Sequence, residues 1–178
     1  MHLDMKRWKW PSALWLAASV AGVPMAASAS GLEPFAAGAQ ISEEVTPSGD
    51  AACPSTAQGV AVQGRIQGSG LGTAIGPFKV SSVDCLRSAN PTAFYPPLTF
   101  TSTSLTLTAA NGDQLLAAYS GTAELSPVGL LVLKGTYTIT GGTGMFRKAR
   151  GSGTLTGVED ISTAPAKGFV SLVGQIAY

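Results

Sequence analysis

The sequence predicts an all-β fold, one domain of seven or eight short strands, and three observations predict it. Apolar residues alternate with polar ones over runs of strand length. Gly, Pro and Asn-Gly punctuate the runs, and no 3.6-residue period lasts long enough for a packed helix. Glycines also fall inside the runs, at Gly121, Gly135, Gly153, Gly157 and Gly174. Sharply coiled strands need such positions, which favours a closed barrel over a sandwich. The 178 residues suffice for one sizeable core but not two. Only 12% are charged, against about 25% in an ordinary soluble domain. Low charge with 45% hydrophobic residues is the opposite of the disorder signature. A formal net charge of +1 leaves no basic excess to neutralise phosphates, so nucleic acid is excluded as a partner.

Residues 1–29 read as a secretory signal peptide. Lys6, Arg7 and Lys9 precede an apolar stretch of about 14 residues, and Ala27-Ser28-Ala29 supplies small residues for cleavage. A membrane span needs about 20 apolar residues, so the stretch reads as a cleaved signal rather than an anchor. The expected product is secreted or periplasmic. Cleavage removes all three tryptophans and His2, the only histidine, and leaves eight basic and nine acidic side chains. Residues 30–54, rich in Ala, Gly, Ser and Pro, read as a flexible leader with at most one short strand at 41–45. The barrel domain is expected over 55–178.

Within that domain, 60–67 alternates as a half-buried strand, ended by Gly68-Ser69-Gly70. A second strand covers 74–83, with Gly76-Pro77 marking a bulge or an edge. Asn90-Pro91 and Pro96-Pro97 make 86–97 a loop. The Thr- and Leu-rich run 99–109 is a strand. Asn111-Gly112 then signals a hairpin, because a type I′ turn needs positive φ at both central residues. Strands follow at 114–125 and, after Ser126-Pro127, at 128–140; 151–158 and 168–178 complete the set. The last has two apolar faces, Val170, Leu172 and Ile176 on one and Phe169 and Val173 on the other. That suits core on one side and a ligand cavity or subunit contact on the other.

With the histidine gone, no imidazole remains to serve a Ser or Cys nucleophile. His-containing zinc sites are excluded as well, no metal site is expected, and no P-loop run exists. Cys53 and Cys85 are the only thiols. In an exported chain an even pair reads as a disulfide, the other reading being one reactive thiol. Candidate ligand-binding groups on the strands are Arg65, Tyr119, Glu124 and Tyr137. Each has a structural alternative: a core or barrel-end tyrosine, a solvated outer-face Arg or Glu. No catalytic residue is assigned.

The most specific run is 138–157. Gly141-Gly142-Thr143-Gly144 permits a tight turn after a strand. Residues 145–150 are enough for one helical turn, with Phe146 and Ala149 inward and Arg147, Lys148 and Arg150 outward, able to plug a barrel end. A phosphate cradle would need a long helix after the loop, and none follows. The run Gly141-Gly142-Thr143-Gly144-x-Phe146-x-x-Ala149-x-Gly151 resembles the signature of dirigent proteins and the allene oxide cyclase barrel-like superfamily. Tyr137 and Ile139 before it, Asn111-Gly112-Asp113, and the closing Gly174-Gln175-Ile176-Ala177-Tyr178 fit the same resemblance. The resemblance implies a single eight-stranded antiparallel, calycin-like β-barrel with an apolar cavity, often assembled as a trimer. Plant members cyclise a fatty-acid epoxide or steer phenol coupling without a cofactor, and the matched motif is structural in them.

Two functions follow as expectations. The first is a barrel that binds a small apolar molecule and controls its conformation by shape and water exclusion, as a cofactor-independent isomerase, cyclase or dirigent-like protein. The second is a non-catalytic secreted structural or surface-interaction module. A cavity of several hundred Å³, on the order of ordinary ligand pockets, with two or three converging polar groups separates the first from the second.

Overall fold

The computed structural model describes residues 31–48, 53 and 59–178. They form a closed antiparallel barrel of eight strands, each paired with its neighbours in sequence and the last with the first. The strands are β1 (Glu33–Pro47), β2 (Ala61–Gly72), β3 (Gly76–Ser88), β4 (Leu98–Ala109), β5 (Gln114–Leu125), β6 (Leu131–Gly142), β7 (Arg150–Asp160) and β8 (Ala166–Ala177). The only helical element among the described residues is one 3-10 turn, Gly144–Phe146. The eight-stranded barrel is therefore as expected, while the signal peptide proposed for 1–29 lies outside the described residues.

Three boundaries need correction. The segment read as a flexible leader contains β1, a full barrel strand, so the domain begins at Glu33 rather than at 55. Its burial alternates through Phe35, Ala37, Ala39, Ile41 and Glu43, a period that its small residues disguise as low complexity. Gly68-Ser69-Gly70 does not end β2, because Gly68 and Gly70 sit where β1 carbonyls leave no room for a β-carbon. The loop expected over 86–97 starts later, since Leu86 and Ser88 continue the buried phase of β3.

The two ends of the barrel differ. At one, the 3-10 turn folds inward: Phe146 is fully buried, its ring 5.4 Å from that of Tyr178. Backbone bonds Phe146 N–H to Thr143 O (2.9 Å) and Ala149 N–H to Phe146 O (2.9 Å) hold the turn. Asp113 Oδ2 accepts from Met145 N–H at 3.1 Å. Gly144 has φ +52°, and its missing β-carbon leaves the space that the Asp113 carboxylate fills. Phe35, Leu115, Tyr137 and Ile176 seal the layer below. Arg147, Lys148 and Arg150 face water.

The other end is open. Among the described residues it is rimmed by the connections β3–β4, β5–β6 and β7–β8. Here Cys53 is bonded to Cys85, with Cα atoms 5.3 Å apart, tying the β1–β2 connection to β3. The bridge spans 32 residues, which corresponds to about 3–4 kcal/mol of stability in the chain-entropy account. The Cys53→Ser/Cys85→Ser double variant is expected to lose that much in urea unfolding. An unchanged midpoint would show that the bridge constrains nothing.

Candidate functional site

The barrel interior is mostly filled. Phe78, Phe100, Leu105, Leu155 and Leu172 narrow it to a cavity of about 60 Å³. The larger space is at the open end, where a chamber of about 700 Å³ is lined by Val45, Phe94, Tyr95, Leu125, Ile161 and their neighbours. These five apolar side chains are all substantially exposed. Interior and chamber share Glu43, Leu86, Leu131 and Glu159, which form the throat between them. The several-hundred-Å³ space expected within the barrel thus lies at its mouth.

Three carboxyl groups meet at this throat. Glu43, Asp84 and Glu159 project inward from β1, β3 and β7, with relative exposures of 5%, 5% and 3%. Their meeting depends on the strands between them. Gly64 on β2 pairs with Val45 and Asp84, and a β-carbon there would overlap Glu43 Oε1 and Asp84 Oδ1. Gly168 on β8 pairs with Ile41 and Glu159, and its β-carbon would press on Glu159 Cγ at 3.1 Å. Two absent side chains therefore let carboxyls on every second strand close on one another. Glu43 lies in hydrogen-bonding reach of both Asp84 and Glu159.

A hydroxyl relay supports one flank. Tyr119 on β5 donates to Asp84 Oδ2 at 3.1 Å. Its oxygen lies 3.1 Å from Ser82 Oγ, which lies 2.9 Å from Ser102 Oγ. Ser102 donates to the Val83 carbonyl at 2.7 Å. Ser102 keeps the inward phase of Leu98 and Phe100, and the β3–β4 and β4–β5 registers shift just beyond it, where the bulge brings Leu105 inward. Glu43 Oε1, Asp84 Oδ1 and Glu159 Oε1 are buried and accept from no N–H or hydroxyl outside the carboxyl cluster.

Burial, together with the neighbouring Asp84 and Glu159, pushes the Glu43 carboxyl up to about 10. Burial likewise raises Asp84 to about 6, against the pull of its hydrogen bonds from Glu43 and Tyr119. Glu159 is raised by burial. Among the described residues no lysine or arginine lines the interior cavity or the chamber. At neutral pH the cluster holds at least one proton, centred on Glu43 and shared with its neighbours. Among the described residues no group of three His, Cys, Asp or Glu side chains is arranged to hold a metal ion.

Of the four residues singled out in the sequence, only Tyr119 belongs to this constellation. Tyr137 is buried, 6.2 Å ring to ring from Phe35 at the closed end. Its unpartnered hydroxyl lies against Gly174, and burial pushes it up to about 12. Arg65 and Glu124 are exposed on the outer wall, because each sits in the outward phase of its strand. They are corrected to surface positions. The matched glycine motif builds the closed end, away from the carboxyls. No family model, curated protein or solved structure matches the chain.

Proposed function

We propose that this barrel binds a small, largely apolar molecule through its open end and holds one polar group of it at the carboxyl cluster. The carrying observation is the buried trio Glu43, Asp84 and Glu159, each with one unpartnered oxygen, which lines the interior cavity and reaches the chamber of about 700 Å³ through Glu43 and Glu159. Buried polar atoms without partners are uncommon in folded proteins, and a ligand's polar group is one means of satisfying them. The Cys53–Cys85 bridge supports export to an oxidising compartment. Membership of the allene oxide cyclase barrel-like superfamily is part of the proposal, and rests on the glycine motif. The exposed outer-wall residues Leu71, Val158, Phe169 and Val173 support self-association, a trimer by that resemblance, which sedimentation equilibrium measures.

One observation favours catalysis at the same place. Glu43 and Asp84 are pushed to about 10 and about 6, so at neutral pH one retains a proton while the other has largely lost it. Such a pair can give and take a proton without a cofactor, as an isomerase or cyclase requires.

The test is native mass spectrometry of the purified protein, with thermal unfolding in the presence of fatty acids, phenols, alcohols and amines. A retained molecule is expected, or a ligand that stabilises by about 2.7 kcal/mol at a hundred times its Kd. Neither a retained molecule nor any stabilising ligand would leave the structural-module alternative standing.

A further inference from the structure

We infer that the polar group received at the throat is a cationic primary amine, whose three N–H donors go to Glu43, Asp84 and Glu159. The inference rests on the binding reading above and specifies its ligand class.

The donor and acceptor inventory carries it. Three buried oxygens, on three residues of three different strands that line one small cavity, have no N–H or hydroxyl donor from outside the cluster. The nearest hydroxyls are committed elsewhere: Tyr119 to Asp84 Oδ2, and Ser102 to the Val83 carbonyl. Ser82 lies within bonding distance of Ser102 and Tyr119. The wall therefore offers acceptors and lacks cations. A primary ammonium brings three donors and one positive charge, matching both deficits. A carbonyl or an epoxide would add a further acceptor, engage one carboxyl proton, and leave the other oxygens bare.

The route to the cluster fixes the rest of the ligand. Phe94, Tyr95, Leu125 and Ile161 line the chamber above the throat. A bare metal ion gains nothing from these walls, and the trio is not arranged to hold one. An apolar tail on the amine fills the chamber while the head sits below, where the 60 Å³ interior admits little more. Aromatic rings at the rim are also favourable to a passing cation.

Charge balance gives a readout that apolar binding alone does not produce. The titratable groups facing the site are Glu43 from β1, Asp84 from β3, Tyr119 from β5 and Glu159 from β7. Entry of a cation favours their ionised forms, so the proton held by the carboxyl cluster is released to solvent as the amine binds.

The experiment is titration calorimetry of the whole protein at neutral pH, in buffers of different ionisation enthalpy. Probes are matched amine and alcohol pairs with n-butyl, n-octyl and 2-phenylethyl tails. The amine of at least one pair is expected to bind about ten-fold or more tighter than its alcohol, with proton release. Glu159→Gln is expected to remove about ten-fold of the amine's affinity and leave the alcohol's unchanged, which also shows that the variant is folded. Equal affinity for amine and alcohol would overturn the amine inference and leave the binding reading intact. So would binding of fatty acids or phenols alone. Displacement of the amine by calcium ions without displacement of the alcohol would make the trio a metal site and overturn it too. Absence of any ligand, in this test and in the preceding one, would remove both readings together.

Discussion

Glu43→Gln raises the melting temperature in mild alkali and flattens the fall in stability that the wild-type protein shows as pH rises from about 5 to about 9. The sign follows from linkage. Glu43 has its carboxyl raised to about 10 in the folded barrel, against an ordinary value of 4.5. Between those values the folded state holds a proton that the unfolded chain has lost. Stability is therefore full below the unfolded value and declines with every step of pH towards the folded one. Asp84, raised from 3.8 to about 6, adds a second decline at the acid end of the range. Glutamine has the shape of the protonated carboxyl and cannot ionise, so the variant keeps the contacts and loses the penalty. The gain near pH 8 is expected to reach about 3 kcal/mol or more, or about 10 °C in a domain of this size. Glu44→Gln, on the exposed next residue, serves as the control and leaves the pH profile unchanged. Thermal unfolding followed by circular dichroism across the pH range measures both. A wild-type curve that is flat, or that rises with pH, would mean that the trio is not buried together.

The barrel was legible in the sequence because it is written in local signals. Alternation, the Asn111-Gly112 hairpin and the glycines inside strands each report on a few neighbouring residues. Phe146 and Ala149 were likewise legible as the inward residues of a single turn, and the structure places both in the interior. The carboxyl cluster was missed for a consistent reason. Asp84 and Glu159 each lie one residue beyond the strand ends drawn at 83 and 158, and Glu43 lies in the segment taken for a leader. A charged residue looks like the end of an apolar run, and Asp84 and Glu159 each sit at such an apparent end. The phase held the missing signal. Phe78, Val80, Ser82, Asp84 and Leu86 keep one two-residue step, as do Leu155, Gly157 and Glu159. What no single strand contains is the convergence. Glu43 and Asp84 meet because Gly64 lies between them, and Glu159 joins from across Gly168; that follows only from the register of closure.

Phe146→Ala is expected to destabilise the protein by about 3–5 kcal/mol, since it removes a fully buried ring and leaves a void at the plugged end. The melting temperature falls by about 10 °C or more. Met145→Ala, one residue earlier and half exposed, changes stability by no more than about 0.5 kcal/mol. The contrast tests whether the glycine motif works by driving one aromatic side chain into the barrel. It also separates stability from binding. Phe35 at the plug and Glu43 at the throat are eight residues apart on β1, about 26 Å along an extended strand. A ligand seated at the throat touches nothing that Phe146 supports. Below its lowered melting temperature, the Phe146→Ala variant should therefore bind throat ligands with wild-type affinity, whereas Glu159→Gln should melt near or above wild type and lose its preference for amines. Loss of binding in the plug variant while it is still folded would place the ligand deep in the barrel, against the closed end, and not at the carboxyls.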